Sequence, residues 1–266
     1  AGIEWPFDSA EAKALYQILE QQLHAKHLPD PNCTALGIKP ISKTGSERLI
    51  KAAIEYAIQH QRESVSLVHK GNIMKYTEGA FRDWGFDLAE THYPDQTLTR
   101  RSLSAYPAQQ AQALISAARS EGKVIIDDCI ADAFFQNALL YPDHYDVIAT
   151  TNLNGDYISD ALAAQVGGIG LSPGANMNPI TGHAIFEATH GTAPSIAGQN
   201  KANPCALILS AVMLLEHLAW HEAAHHIQMA LDASIAHQHV TADIALPGVT
   251  PLSTQAFSAS ILRFMA

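Results

Sequence analysis

The apolar positions along the chain follow two periods, and segments of the two kinds alternate. Apolar residues three and four positions apart predict helices over 9–23, 77–84, 130–140, 156–166, 204–220 and 221–237. Short apolar runs predict strands over 65–69, 124–126 and 145–150. Helices that alternate with buried strands indicate an α/β architecture.

A further helix is predicted to follow Thr44. Thr44 and Glu47 have the spacing of a capping box, in which each side chain binds the backbone of the other residue. We therefore expect this helix to begin beside Thr44. The apolar residues after it share one helical face, namely Leu49, Ile50, Ala53, Ile54, Ala57 and Ile58.

Residues 167–198 are rich in Gly and Pro and show little helical period. This composition predicts turns and short strands, a setting in which binding loops are often found. Residues 93–119 give the weakest pattern in the chain.

Composition and charge narrow the class of protein. The 266 residues carry a formal net charge of -10, which argues against binding a nucleic-acid backbone. The longest apolar run, 205–215, is interrupted by Ser210 and is too short to span a bilayer. Three cysteines without framework spacing fit a reducing compartment. We therefore expect a cytoplasmic protein that binds neither nucleic acid nor membranes.

A pair of aspartates follows the strand predicted over 145–150. Asp156 and Asp160 are four residues apart, so on a helix they share one face. Two such carboxylates repel each other unless a cation lies between them, and Mg²⁺ and Mn²⁺ prefer carboxylate oxygen. Spacing alone, however, slightly favours a helix cap followed by a solvated Asp.

Two other segments combine strand ends with polar residues. Lys70 follows a buried strand and precedes Gly71, so it is placed to reach into a cleft, although most such lysines lie in water. Residues 186–194 read Phe-Glu-Ala-Thr-His-Gly-Thr-Ala-Pro, where Gly191 permits a close backbone approach. A plain turn is the alternative for the second segment.

One metal-binding motif competes with these features. His221-Glu222-Ala223-Ala224-His225 matches the H-E-x-x-H pattern of zinc proteases. The segment is crowded with histidines, reads as polar and exposed, and lacks a recognisable third ligand downstream. The motif is therefore interpreted as a surface feature rather than as a protease site.

Taken in order, four segments resemble the bacterial isocitrate dehydrogenases, a branch of the isocitrate/isopropylmalate dehydrogenase family. They are Leu-Val-His-Lys-Gly-Asn-Ile-Met-Lys at 67–75, Ile-Ala-Asp-Ala-Phe at 130–134, Asn-Leu-Asn-Gly-Asp-Tyr-Ile-Ser-Asp at 152–160, and the segment at 186–194. The likeness runs along nearly the whole chain. It implies the α/β, non-Rossmann fold of that family, and no Gly-x-Gly-x-x-Gly motif opens a helix here.

The resemblance implies a catalytic and metal-binding set. Lys70 corresponds to the family's catalytic lysine. Asp132, Asp156 and Asp160 correspond to the ligands of Mg²⁺ or Mn²⁺, and Asp132 is also implied in catalysis. Lys70 and Asp132 are expected to act in the site of a second subunit, so a homodimer is implied. The implied reaction is the oxidative decarboxylation of isocitrate to 2-oxoglutarate, a step of the tricarboxylic acid cycle.

The resemblance also implies a nicotinamide cofactor site. The residues that correspond to it are Asn72, Glu187, His190, Gly191, Thr192, Ala193, Ser195, Ile196 and Asn203. NADP-using members carry Lys, Tyr, Tyr and Arg around the 2′-phosphate. Here those positions are Ser195, Ile196, Ala242 and Leu246, and none supplies a charge for a phosphate dianion. This departure predicts a preference for NAD over NADP.

By the same resemblance, residues 1–43 form part of a clasp between subunits, 44–166 form a small α/β domain, and 167–266 form the C-terminal half of a large domain. The family's substrate-binding Ser, Asn and Arg and a catalytic Tyr are expected upstream of Ala1. We therefore expect the functional protein to be longer, and the 266-residue chain alone to be inactive.

Two alternatives remain open. One is a related decarboxylating dehydrogenase that acts on isopropylmalate or homoisocitrate, because the residues that choose the substrate are expected upstream. Asn152, Asn154 and Tyr157 favour isocitrate. The other is a non-catalytic, dimerising subunit, against which the intact Lys70 and aspartates argue.

Overall fold

A computed structural model describes residues 2–266 and begins with a small N-terminal ribbon. Strand β1 (Glu4–Trp5) pairs antiparallel with β2 (Leu36–Gly37). Between them lies helix α1 (Ala10–Gln17), which continues into a π-helical turn at Ile18–Gln22. The Ser9 hydroxyl accepts the Ala12 N–H and caps α1, because the first N–H groups of a helix have no partner within it.

A four-stranded sheet forms the centre of the chain. Its strands are β3 (Ser64–His69), β4 (Thr97–Thr99), β5 (Val124–Ile130) and β6 (Val147–Thr150). They lie in the order β4-β5-β3-β6, and every neighbouring pair is parallel. Parallel neighbours require crossover connections, which here contain helices.

Helices cover both faces of this sheet. Helix α2 (Lys43–Gln59) precedes β3, the helices between successive strands are α3 (Glu78–His92), α4 (Ala108–Ser120) and α5 (Ala131–Leu140), and α6 (Asn152–Gln165) follows β6. Leu67 of β3 packs with Ile50 and Phe81 of α2 and α3, whereas the next residue, Val68, packs with Phe134 of α5. Successive residues of a strand point to opposite faces, and each fully buried side chain of this kind contributes about 1.5–3 kcal/mol.

The C-terminal part combines a hairpin with three helices. Strands β7 (Pro173–Met177) and β8 (Ala184–Ala188) pair antiparallel and pack against α7 (Cys205–His217). Helices α8 (His221–Ala236) and α9 (Thr254–Met265) complete a second core, whose buried members are Cys205, Ala230, Leu231, Phe257 and Ile261. Among residues 2–266, no helix is both long and apolar enough to cross a membrane.

The α/β class predicted from the sequence is confirmed, but two helix starts are wrong. The cap of α2 is Ser42, whose hydroxyl accepts the Gly45 N–H, so the capping box at Thr44 does not form. Helix α6 begins at Asn152, four residues before the predicted start, and Asp156 therefore lies in its second turn rather than at its cap. The residue just before each helix, Ser42 before α2 and Thr151 before α6, has the extended backbone of an N-cap, so each helix begins earlier than its polar spacing suggests.

Asp127 of β5 lies on the α4–α5 face of the sheet, where its side chain is half-buried and its Oδ1 atom is shielded from solvent. Neither its Oδ1 atom nor the buried hydroxyl of the neighbouring Ser66 makes a well-directed hydrogen bond. Burial raises the pKa of the Asp127 carboxyl, and the nearby Ser66 hydroxyl and Arg100 guanidinium offset this only in part. The ionised carboxylate is therefore poorly compensated in the folded state.

Asp127→Asn is expected to raise the free energy of unfolding near neutral pH by about 1 kcal/mol. A carboxyl whose folded-state pKa is raised favours the folded state only while it is protonated, and that advantage is lost as pH rises through the folded-state pKa. The gain should therefore shrink as pH falls. Urea unfolding near neutral pH and at about pH 4 measures it, and a gain that grows on acidification would contradict the assignment.

Candidate active site

The predicted catalytic and metal-binding residues lie where three parallel strands end. Lys70 directly follows β3, Asp132 lies in the first turn of α5 after β5, and Asp156 lies on α6 after β6. Because the carboxyl ends of parallel strands meet at one edge of a sheet, residues distant in sequence converge here. The fold thus explains why these separate segments contribute to one edge.

Lys70 and Asp132 form an ion pair at this edge. The Lys70 ammonium donates to Asp132 Oδ1, and the Asp132 side chain is otherwise largely exposed. The hydrogen bond from Lys70 is the main cause that lowers the pKa of the Asp132 carboxyl. The structure therefore brings together the two residues that were predicted to act at the same centre.

The backbone beside Lys70 is held by His69 and a close glycine contact. The buried His69 ring accepts the Gly71 N–H at Nδ1, 2.9 Å away, so its proton sits on Nε2, which faces Asp128 Oδ2 at 3.0 Å. A Cβ on Gly71 would lie 2.7 Å from Gly79 Cα and 2.8 Å from His69 Nδ1. Only glycine therefore permits this turn after β3.

Sequence reasoning missed Glu78, the first residue of α3. Its side chain is fully buried and accepts four hydrogen bonds, from Lys39, Thr151, Asn154 and the Lys70 backbone. Burial alone raises the pKa of Glu78, but the hydrogen bonds from Lys39, Lys70 and Thr151 outweigh it, so the net pKa is lowered. No spacing marks this residue, because an acidic residue in the first turn of a helix is common.

Asp156 and Asp160 stand one turn apart on α6, and both are exposed. Neither carboxylate has an ion-pair or side-chain hydrogen-bond partner within residues 2–266. Nor do three potential metal ligands come together anywhere in that range of one chain. Two free carboxylates are a hard donor set that suits Mg²⁺ or Mn²⁺ but is too small to enclose either ion. The placement of Asp132 with them, in a second copy of the chain, stays a prediction.

Of the predicted cofactor residues, Asn72 lies beside the four-stranded sheet and the others lie in the C-terminal part of the chain. Asn72 is exposed just after Lys70. Glu187 lies on β8 and accepts the Asn176 amide at 2.9 Å, and 190–196 form an exposed loop. Within that loop Ala193 has a φ of 43°, and a short 3₁₀ turn follows at Pro194–Ile196. The remaining members of this loop set are His190, Gly191, Thr192, Ser195 and Ile196.

Asn203 is held in a network at the start of α7. Its amide donates to Asp243 Oδ2 at 2.9 Å, and its carbonyl oxygen accepts the Cys205 N–H at 2.9 Å. The Thr241 hydroxyl donates to the other oxygen of Asp243 at 2.6 Å. The side chain of Asn203 is therefore fixed in orientation before any ligand binds.

The H-E-x-x-H segment lies on the first turns of α8, where His221 and His225 are both exposed. No third metal-binding side chain joins them in the part of the chain that the structure describes. This arrangement agrees with the interpretation of the motif as a surface feature.

Comparison with known proteins identifies the family. The model of the isocitrate/isopropylmalate dehydrogenases matches residues 15–261, and the chain belongs to that family. Isocitrate dehydrogenase [NADP] of Staphylococcus aureus (strain MSSA476) is 51% identical over 269 residues, covering 99% of this chain and 64% of its own length. Isocitrate dehydrogenase [NADP] of Streptococcus salivarius is 48% identical, covering 100% of this chain and 62% of its own length.

Solved structures agree with these matches. The crystal structure of isocitrate dehydrogenase from Methylococcus capsulatus superposes with a TM-score of 0.73 at 34% identity, covering 90% of this chain and 61% of that one. The TT0538 protein from Thermus thermophilus gives 0.71 at 31% identity, covering 87% and 41%. The chain thus has the fold of the family, and it spans about 64% of the length of the Staphylococcus relative.

The predicted preference for NAD is wrong by the same comparison, because the similar relatives from Staphylococcus and Streptococcus are named for NADP. The argument rested on the lack of a cation at Ser195, Ile196, Ala242 and Leu246. These four side chains are not the only groups that can bind a 2′-phosphate, since backbone N–H groups, hydroxyls and cations elsewhere also bind phosphate. Lys201, for example, is exposed just after the same loop.

Proposed function

We propose that the protein catalyses the oxidative decarboxylation of isocitrate to 2-oxoglutarate with NADP⁺ as the oxidant and a divalent metal ion as a requirement. The observation that carries this proposal is the Lys70–Asp132 ion pair, at the same sheet edge as the free carboxylates of α6. Its support also comes from relatives, about half identical, that are named isocitrate dehydrogenase [NADP].

In this proposal Asp156 and Asp160 hold the metal together with Asp132 of a second copy. When bound, Mg²⁺ or Mn²⁺ would act as a Lewis acid that lowers the pKa of the substrate hydroxyl and stabilises the charge left when CO₂ departs. The two α6 carboxylates suit this role because no cation within residues 2–266 pairs with them. They repel each other in the free protein, so binding a cation relieves that repulsion.

Lys70 supplies the mobile proton in this scheme. Its Nζ atom donates to Asp132, and its side chain is partly exposed at the sheet edge. From there Nζ can exchange a proton with the substrate oxygen, and later deliver one to the carbon that loses CO₂. Gly71 and His69 fix the turn from which this side chain extends.

The C-terminal part supplies the cofactor site in this proposal. The exposed loop 190–196 and Glu187 would contact the ribose and nicotinamide end with Asn72, and Asn203 would contact the adenine. Asn203 is fit for a fixed contact because Asp243 and the Cys205 N–H hold its amide. The position of the 2′-phosphate contact is best sought near Lys201.

A homodimer is part of this proposal, because the proposed site is divided between two copies. Large apolar side chains lie exposed on and beside α5 and α6, namely Leu139, Leu140, Tyr141, Leu153 and Tyr157. Exposed apolar side chains on adjacent elements are typical of a protein–protein interface. We propose that this surface meets its copy, that 1–43 form part of a clasp, that 44–166 form the small domain, and that 167–266 belong to the large one.

The test is an assay of the protein at its natural length with Mn²⁺. Isocitrate is expected to reduce NADP⁺ and to yield 2-oxoglutarate, with a higher kcat/KM for NADP⁺ than for NAD⁺. Isopropylmalate and homoisocitrate serve as competing substrates. A higher kcat/KM for either competitor would reject the substrate, and a higher value for NAD⁺ would reject the cofactor. The 266-residue chain, assayed beside it, tests whether this segment alone is active.

A further inference from the structure

We propose that Glu78 is a positioning residue that couples the lysine of one active centre to the metal-binding helix of the other. The proposal rests on the function proposed above. In that function Lys70 serves the centre of a second subunit, whereas Asp156 and Asp160 serve the centre of their own. Glu78 is hydrogen-bonded to the segments that carry both.

The two oxygens of Glu78 divide their donors between these segments. Oε2 accepts the Lys70 N–H and the Asn154 amide, each at 2.8 Å. Oε1 accepts the Thr151 hydroxyl at 2.9 Å and the Lys39 ammonium at 2.6 Å. One carboxylate therefore joins the end of β3, the start of α6 and the segment just after β2.

The burial of Glu78 makes this link stiff. The side chain is 0% exposed, so water cannot replace a donor that moves away. Among residues 2–266 its one cationic partner is Lys39, which is partly exposed and lies just after β2 rather than in either site segment. A buried carboxylate with four donors resists displacement of any one of them, because an unpaired buried group is costly.

The consequence is a mechanical connection between Lys70 and α6. Asp156 lies two residues after Asn154, so a shift of Asn154 moves the carboxylate that would bind metal. Lys70 donates its backbone N–H to the same oxygen, so the shift also reaches the catalytic lysine. In a dimer, each Glu78 would thus transmit the state of one metal centre to the lysine of the other.

Three variants distinguish the hydrogen bonds that Glu78 accepts from the negative charge that it carries. In Glu78→Gln the amide oxygen can keep the Lys70 and Asn154 bonds while the amide nitrogen donates to Thr151, so only Lys39 loses its partner. Glu78→Met has a similar volume but loses all four bonds. Lys39→Met removes the cation alone and serves as the matched control.

Glu78→Met is expected to lower kcat by about 10- to 100-fold with little change in the KM for isocitrate, because misplacement of catalytic groups affects the chemical step. Glu78→Gln and Lys39→Met are expected to keep most of kcat. Equal losses in Glu78→Gln and Glu78→Met would overturn positioning, because they would show that the carboxylate charge is what matters.

Hydrogen exchange provides a readout that does not depend on activity. In Glu78→Met the Lys70 amide and the first turn of α6 are expected to exchange faster together, by about tenfold or more. If this variant does not fold, Asn154→Leu is used, and the Lys70 amide should still exchange faster although it keeps its own bond to Glu78. Faster exchange confined to α6 would overturn the proposal. If both segments exchange faster together in Glu78→Met, but the unmutated protein does not oxidise isocitrate, the coupling stands and the proposed function is rejected.

Discussion

Lys70→Met is expected to lower kcat for isocitrate oxidation by about 10²- to 10⁴-fold, the usual contribution of a general acid or base. Methionine keeps most of the length of the side chain but cannot carry a proton. It also leaves Asp132 without the hydrogen bond that lowers the pKa of its carboxyl. Steady-state kinetics with saturating Mn²⁺ and NADP⁺ measures the effect.

Lys51→Met is a suitable control for this change. Lys51 lies on α2 and is exposed, and within residues 2–266 its one ion pair is with Glu55 at the surface, so its loss should leave kcat unchanged. Circular dichroism should show that both variants remain folded. A Lys70→Met protein with more than about a tenth of the original kcat would remove the lysine from the mechanism.

Asp160→Asn is expected to weaken Mn²⁺ binding by at least about 100-fold, because even residues that only orient metal ligands typically contribute 10- to 100-fold. The amide oxygen is a poorer ligand than a carboxylate for a hard cation. The exposed Asp160 has no protein partner to lose within residues 2–266, so stability should change little. Titration calorimetry of the protein with Mn²⁺ and isocitrate measures the affinity.

Asp232→Asn provides the matched control for the metal experiment. Asp232 is also an exposed helical aspartate, and its carboxylate accepts a hydrogen bond from the Gln228 amide on the same helix. It should bind Mn²⁺ as the original protein does. Equal affinities for the Asp160→Asn and Asp232→Asn proteins would place the metal elsewhere.

Sequence patterns predicted those elements whose residues repeat regularly. Strand β3 was found because an apolar run ends at a polar turn, and α5 because apolar residues recur with helical spacing. By contrast, no prediction was made for β4 and α9. Strand β4 has three residues, and α9 carries its buried Phe257 and Ile261 among serines that pack inside through hydrogen bonds.

The residues of the candidate site could be predicted only in part from the sequence. Lys70 and Asp132 were identified through the family resemblance, and the fold shows why they meet. Glu78 was missed because its importance comes from donors at Lys39, Thr151 and Asn154, which are distant in sequence. The cofactor prediction failed for a related reason: a phosphate site depends on backbone and neighbouring groups as well as on four side-chain types.

The most direct test of a shared metal centre is a crystal structure of the protein at its natural length with Mn²⁺ and isocitrate. The account predicts one anomalous peak per subunit, within about 2.5 Å of carboxylate oxygens from Asp156 and Asp160 of one copy and Asp132 of the other. Lys70 Nζ of that other copy should lie within hydrogen-bonding distance of the substrate. A metal ion bound away from α6 would contradict this account. So would a structure in which the three carboxylates and the Lys70 amine do not converge on one metal–substrate complex.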